Sequence, residues 1–179
     1  ESQYMVAADT LASVNIPSVC RWLYVGGGKG TFVDELNKSY PKVDAAVFDL
    51  PGSHSAKAKH TCIIGSFKED ELPKGYDIIS LIRILYDHRD QTIENLLAKA
   101  HGALSKGGRL IVSEPMLGPD QPTLWGDVYF AMYTLAMSTG KTRSPEQISE
   151  FIKAAGFMDI KIHKATRPFI TTVIEARRI

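Results

Sequence analysis

The sequence has only two cysteines, Cys20 and Cys62, and they do not form a CxxC spacing. A disulfide framework or a zinc site needs several cysteines or histidines at short, regular spacings. Both cysteines lie in or beside apolar stretches, where a cysteine usually acts as a small buried hydrophobic residue. We therefore predict no metal site, and we expect a reducing, cytoplasmic environment.

The sequence also lacks a long apolar run and a strong excess of either charge. No stretch approaches the roughly 20 apolar residues that a membrane-spanning helix needs, and the N-terminus has no signal-peptide pattern. The formal net charge of +1 gives no field that would attract nucleic acid. We therefore predict no nucleic-acid partner and no stable membrane insertion. The chain begins with Glu1 rather than Met, which is typical of a fragment of a longer protein.

What the sequence does contain is an alternation of short apolar runs and amphipathic segments. Its 179 residues, 44% of them hydrophobic, suffice for one domain over residues 1–179. The alternation predicts an α/β domain with a mainly parallel sheet. We predict strands at 21–25, 43–48, 61–64, 77–82, 109–113, 159–163 and 170–176, the last two forming an antiparallel hairpin. We predict helices at 2–13, 31–39, 90–104, 125–137 and 145–155.

The most distinctive local pattern is VGGGKG, residues 25–30, between the first strand and the second helix. Gly26 and Gly28 allow a tight turn and let a ligand approach bare backbone. Unpaired N–H groups at the start of the following helix would face that ligand. The pattern does not match the phosphate-binding lysine motif, so we interpret Lys29 as solvated. A tight turn that binds nothing is the alternative.

An acid, Asp49, ends the second strand, nineteen residues after Gly30. Right-handed crossovers bring it to the same edge of the sheet as the glycine turn. A carboxylate there can accept hydrogen bonds from both ribose hydroxyls of an adenosine. A helix cap or turn residue is the alternative. These features alone do not separate a nicotinamide dinucleotide from S-adenosylmethionine.

A family resemblance favours S-adenosylmethionine over a nicotinamide dinucleotide. The series VGGGKG, FDLPG, GSF, LIRILYDHRD and GGRLIVSEPM resembles the class I O-methyltransferases of the caffeic acid and acetylserotonin type. The later run GDVYFAMYTLAMSTGKTRSPEQISEFIKAAGF is most similar to the bacterial carotenoid branch, the hydroxyneurosporene and demethylspheroidene O-methyltransferases. The resemblance implies a Rossmann-like seven-stranded sheet, S-adenosyl-L-methionine as cofactor, and a hydrophobic, carotenoid-like alcohol as acceptor. It also implies an N-terminal dimerisation domain, absent from this chain, and a homodimer for the full-length form.

The alternatives are a polyketide, phenolic or tetrapyrrole acceptor, or a cofactor-binding domain without catalysis. Within the leading interpretation, the resemblance assigns the cofactor's methionine part to the glycine turn and its ribose to Asp49. It places the adenine of the cofactor between two residues that follow strand three. It also places an arginine, at the end of strand four, near the methionine end of the cofactor. A structural salt bridge is the alternative role for that arginine. The implied cofactor-binding residues are Gly26, Gly28, Asp49, Ser66, Phe67 and Arg83.

The catalytic residues depart from the family pattern. The family has a His-Asp-Trp triplet after strand four, whereas this chain has Tyr86-Asp87-His88. A tyrosine with an ordinary pKa near 10 is a poor base at neutral pH, so His88 is the second candidate, unless it is a surface or capping residue. Glu114 matches an acid that supports the family's histidine, or it is a buried structural acid. We predict His88, Tyr86 and Glu114 as the catalytic set.

Further departures concern three places. Tyr24 stands where the family has an acid that helps to hold the cofactor's amino group, and Thr142 stands where it has a second catalytic acid. About fifteen residues separate Pro51 from Phe67, so the connecting helix is trimmed or residues are missing. An apolar acceptor pocket is predicted from helically spaced aromatic residues, with helix core or an interface as the alternative: Trp125, Tyr129, Phe130 and Tyr133.

Overall fold

A computed structural model describes residues 2–54, 58–118, 128–138, 140–163, 165–168 and 170–179. The strands are β1 Arg21–Val25, β2 Asp44–Asp49, β3 Thr61–Ile64, β4 Tyr76–Ile82, β5 Leu104–Glu114, β6 Met158–His163 and β7 Thr172–Arg177. The helices are α1 Ser2–Ser13, α2 Thr31–Ser39, α3 Asp90–Ala103, α4 Tyr129–Met137 and α5 Pro145–Ala154, with one 3-10 turn at Leu85–Asp87.

The seven strands form one sheet in the order β3-β2-β1-β4-β5-β7-β6. Neighbours from β3 to β5 pair in parallel, while β7 pairs antiparallel with both β5 and β6. The predicted Rossmann-like sheet with its closing antiparallel hairpin is therefore confirmed. Because parallel strands meet at one edge by their carboxyl ends, the segments after β1, β2 and β4 lie together there.

Two apolar clusters cover the faces of the sheet. One includes Leu97 and Ile152 of α3 and α5, and the other includes Phe32 and Leu36 of α2 with Val6 of α1. Both faces are covered because the central strands are apolar on both sides, as a buried parallel sheet requires. The indole of Trp22, fully buried in β1, donates to Ser80 Oγ at 2.8 Å, so its polar group has a partner.

Several predicted bounds need correction. β5 begins at Leu104 rather than residue 109, because Leu104 already pairs with Tyr76 across a register shift in β4. The 3-10 turn at Leu85–Asp87 was not predicted. The described residues between β2 and β3 contain no helix, as a trimmed connection would require. No helix in the described part of the chain is long and apolar enough to cross a membrane.

Candidate active site

The glycine turn after β1 is held by its own backbone and by β2. Gly26 donates its N–H to Phe48 O at 2.8 Å, and Gly30 donates to Gly27 O at 2.9 Å. Gly27 was not singled out from the sequence. A Cβ there would lie 2.5 Å from the Tyr24 ring and 2.8 Å from a Val47 methyl, so only glycine fits. Those neighbours become visible only once β1 and β2 are paired.

The position of Gly28 is different, because nothing lies within 4 Å of where its Cβ would be. Its φ is +54°, in the left-handed region that glycine adopts without strain. Gly28 lines a cavity of about 530 Å³ that also touches α1, the start of α2 and the residues after β4. That volume lies within the range of small-molecule sites. The bare backbone of Gly28 therefore opens into a space that a cofactor can fill.

Asp49 joins the second strand to this turn. Its Oδ2 accepts the Gly28 N–H at 2.6 Å, and its Oδ1 accepts the Leu50 N–H at 2.6 Å. Each carboxylate oxygen keeps a further lone pair, so ribose hydroxyls could still donate to it. Asp49 is not among the described residues that line the cavity itself. The carboxylate thus lies beside the glycine turn, as the sequence predicted, and also fixes its shape.

Ser66 and Phe67 follow β3 in a tight turn. Ser66 N–H donates to Asp70 Oδ2 at 2.8 Å, and the Phe67 ring meets the His88 ring edge-on at 5.3 Å between centroids. Lys99 of α3 donates to three backbone carbonyl oxygens in this turn, at 2.8 to 3.3 Å. No local pattern predicts this role, because Lys99 is about thirty residues from its partners along the chain. The lysine anchors the segment that is predicted to flank the adenine.

Arg83 ends β4 with a φ of +55°, a conformation that costs a non-glycine residue about 1 kcal/mol or more. Its N–H donates to Ser113 O at 2.9 Å, which holds the backbone there. Its guanidinium lines the cavity 5.8 Å from the Phe130 ring centre, and its buried Nε has no partner among the described residues. No carboxylate of the described chain forms a salt bridge with Arg83, so the structural alternative finds no support. An unpaired guanidinium in a cavity suits an anionic ligand group.

Glu114 is fully buried at the end of β5, behind the turn that carries the predicted catalytic residues. Its Oε1 accepts the N–H groups of Ile84 at 2.7 Å and Leu85 at 2.8 Å. Its Oε2 is buried without a partner among the described residues. Burial raises the pKa of the carboxyl to about 8, and this effect outweighs the backbone N–H groups of Leu85, Ile84 and Tyr86, which favour the ionised form. The geometry makes Glu114 a support for the turn's backbone.

Arg143 holds the same turn from the opposite side and was not predicted to do so. The side chain is 2% exposed, and its Nη1 and Nη2 donate to Leu85 O at 3.2 Å and His88 O at 2.9 Å. Its Nη2 also pairs with Asp90 Oδ1 at 2.6 Å, and Arg143 together with Lys141 lowers the pKa of Asp90. The sequence pattern of this run points only to Thr142, which stands where the family has an acid.

The three predicted catalytic residues lie in different surroundings. Tyr86 lines the cavity, and its ring packs against Phe130 and Tyr133 of α4. Burial raises the pKa of the Tyr86 phenol, so it is protonated at neutral pH. Burial, with Lys68 and Arg143, lowers the pKa of His88, which is therefore neutral. However, His88 packs against Phe67 and is not among the described residues that line the cavity.

Tyr24 also lines the cavity and is buried against the Phe32 ring at 5.3 Å. Burial raises the pKa of its phenol, so it supplies no negative charge in place of an acid. Of the predicted acceptor-pocket residues, Tyr129 is 60% exposed, whereas Phe130 is buried. Trp125 lies outside the described residues. Within the described chain, no group of His, Cys, Asp or Glu side chains could hold a metal ion.

Comparison with known proteins agrees with this geometry. Residues 1–158 match the O-methyltransferase domain family. The chain belongs to this family. It is 47% identical to a demethylspheroidene O-methyltransferase of Rhodobacter capsulatus and 40% identical to one of Cereibacter sphaeroides, over 99% of the chain in both cases. It covers 46% and 50% of these two proteins, so it spans about half the length of the curated relatives it matches.

Solved structures of other proteins have the same fold. Human N-acetylserotonin methyltransferase, solved in complex with SAM, matches with a TM-score of 0.86 and 26% identity, over 99% of this chain and 55% of that one. The pyocyanin biosynthetic protein PhzM matches with a TM-score of 0.83 and 22% identity, over 99% of this chain and 55% of that one. The resemblance found in the sequence motifs is therefore confirmed at the level of the family and the fold.

Replacement of Gly28 by alanine is expected to weaken the binding of S-adenosylhomocysteine at least about tenfold, because the new methyl group occupies the open side of the turn. Calorimetric titration would measure the dissociation constant. Gly107→Ala is the matched control: its φ is +79°, nothing lies within 4 Å of its Cβ position, and it lies at the opposite end of the sheet. Equal loss of affinity in both variants would show that backbone strain, not ligand contact, is responsible.

Proposed function

We propose that the protein is an S-adenosylmethionine-dependent O-methyltransferase that methylates a hydroxyl of a hydrophobic, carotenoid-like molecule. The observation that carries this proposal is the cavity over the bare Gly28, in a chain 47% identical to a demethylspheroidene O-methyltransferase. Relatives with other acceptors, such as the acetylserotonin O-methyltransferases, are less similar, at 27% to 28% identity. The carotenoid branch therefore sets the expected acceptor class.

The residues around the cavity fit an adenosyl amino acid. Gly28 leaves open space beside the backbone, and Gly26 lines the same cavity. Arg83, whose buried Nε has no partner among the described residues, would bind the amino acid carboxylate. Asp49 would accept the ribose hydroxyls, and Ser66 with Phe67 would flank the adenine. When bound, the cofactor supplies a methyl group on a sulfonium, which is already a strong electrophile. The chain must then mainly position the acceptor hydroxyl and receive its proton.

The acceptor would enter from the side of α4. Phe130 and Tyr133 pack on Tyr86, so this helix forms an apolar wall next to the cavity. The other side of α4 is open: Met132 is 67% exposed and Leu135 is 78% exposed. Apolar surface of this kind suits a long hydrocarbon acceptor or a further part of the full-length protein. The homodimer and the separate N-terminal dimerisation domain stay predictions, which the mass of the full-length protein in solution would test.

Transfer of a labelled methyl group tests the proposed function. The complete protein is incubated with methyl-labelled S-adenosylmethionine and, in separate reactions, with a long polyene alcohol and with a small phenol. We expect label in an ether of the polyene alcohol and a much lower kcat/KM for the phenol. A higher kcat/KM for the phenol would support the alternative of a phenolic acceptor. Binding of the cofactor without any methyl transfer would support the alternative of a cofactor-binding domain without catalysis.

A further inference from the structure

We propose that Asp87, rather than a histidine, accepts the proton of the acceptor hydroxyl. This inference rests on the proposed methyl transfer and names the group that completes it. Asp87 closes the 3-10 turn after β4 and lines the same cavity as Gly28, Arg83 and Tyr86. It is half-buried, and it lies at the edge of the sheet where the parallel strands end.

One of the two carboxyl oxygens of Asp87 lacks a donor. Its Oδ1 is buried and has no hydrogen-bond partner among the described residues. A buried polar atom without a hydrogen-bond partner costs free energy. A ligand hydroxyl that donates a hydrogen bond to Oδ1 removes this cost, so it binds more strongly here than to a carboxylate exposed to water. Burial raises the pKa of Asp87 by more than the hydrogen bond from the Tyr86 side chain lowers it, which makes the ionised form of Asp87 a stronger proton acceptor. The same atom would thus orient the acceptor and receive its proton.

The three residues predicted from the sequence are each less suited to this step. Tyr86 lines the cavity, but its phenol is protonated and has no ionised oxygen to offer. His88 is neutral, yet its ring packs on Phe67. Glu114 is sealed behind the turn, with Oε1 already accepting two backbone N–H groups. Asp87 is the remaining acid on the cavity side of this turn.

The proton and electron balance of the step is simple. The acceptor oxygen forms a bond to the methyl carbon while its O–H bond breaks and the proton passes to an Asp87 carboxylate oxygen. The electron pair of the broken sulfur–carbon bond stays on sulfur, which becomes a neutral thioether. Asp87 then releases the proton to water when the product leaves. No metal, oxidant or further co-reactant is needed.

The test is a kinetic comparison of Asp87→Asn with the wild type in the complete protein. We expect kcat for an alcohol acceptor to fall about 100-fold or more, as removal of a general base does, while the dissociation constant of S-adenosylhomocysteine changes less than about threefold. We expect a smaller loss with a phenol acceptor, because its more acidic hydroxyl needs less help. Asp87→Glu keeps a carboxylate and should retain more kcat than Asp87→Asn. Asp44→Asn, the same change at an exposed site where β2 begins, is the control.

Four outcomes would overturn the role given to Asp87. A kcat for Asp87→Asn close to that of the wild type would overturn the inference and leave the proposed function standing. Equal losses in Asp87→Asn and Asp87→Glu, with cofactor-product binding intact, would also overturn it, because the packing and not the carboxylate would then matter. A Tyr86→Phe variant that loses more kcat than Asp87→Asn would assign the step to the phenol. A wild type that transfers no methyl group to any acceptor would overturn the proposed function, and this inference with it.

Discussion

Replacement of Arg143 by alanine is expected to lower the free energy of unfolding by about 3 kcal/mol or more and to abolish methyl transfer. The guanidinium is almost fully buried, and its removal leaves Leu85 O and His88 O without their donor. The turn that carries Tyr86 and Asp87 would then lose its support on one side. Urea denaturation followed by circular dichroism would measure the change.

Lys141→Ala is the matched control for this prediction. Lys141 pairs with the same carboxylate, Asp90, at 3.0 Å, but its side chain is 58% exposed. An exposed ion pair contributes only about 0.2–1 kcal/mol, so this variant should stay near the wild type. Arg143→Lys should resemble the alanine variant more than the wild type, because one ammonium group cannot reach all the acceptors of a planar guanidinium. Equal stability of the Arg143 and Lys141 alanine variants would contradict the role given to Arg143.

The second large effect concerns Glu114 and pH. The pKa of its carboxyl rises from 4.5 to about 8 on folding, so the folded protein binds the proton more tightly than the unfolded chain. The contribution of Glu114 to the free energy of unfolding is therefore fully present below pH 4.5, and it is lost as the pH rises towards about 8. The unfolding free energy of the wild type, relative to Glu114→Gln, should fall by up to about 1.4 kcal/mol per pH unit in this window.

The comparison with Glu114→Gln isolates this group from every other ionisable group of the protein. The amide keeps an oxygen for the N–H groups of Ile84 and Leu85 but cannot ionise. Glu94→Gln, the same change at an exposed position of α3, should leave the pH dependence of the wild type unaltered. Parallel stability curves for the wild type and Glu114→Gln between pH 5 and 8 would show that Glu114 stays ionised in the fold.

The sequence predicted best what depends on local pattern. β1 and α2 have the predicted bounds, because an apolar run, a glycine turn and a helical period follow one another without interruption. Asp49 was found because parallel strands bring their carboxyl ends together, so chain order alone places it near the glycine turn. The family resemblance implied a place for Arg83 near the cofactor, and Arg83 lines the cavity.

What the sequence missed depends on contacts between distant segments. Arg143 is more than fifty residues from the carbonyl oxygens it binds, and Glu114 acts on backbone N–H groups thirty residues earlier. No local pattern encodes either contact. The side on which His88 lies was equally hidden, because the 3-10 turn at Leu85–Asp87 rotates consecutive side chains in different directions. Tyr86 and Asp87 therefore line the cavity, while His88 packs on Phe67.

We expect the cavity over the glycine turn to hold S-adenosylmethionine. A crystal structure of the protein with S-adenosylhomocysteine tests it most directly. We expect the ligand in the cavity of about 530 Å³, with its amino acid part between Gly28 and Arg83 and its ribose hydroxyls on Asp49. Ligand density elsewhere on the protein would show that this cavity is not the cofactor site, and a ribose that makes no contact with Asp49 would show that the role given to Asp49 is wrong.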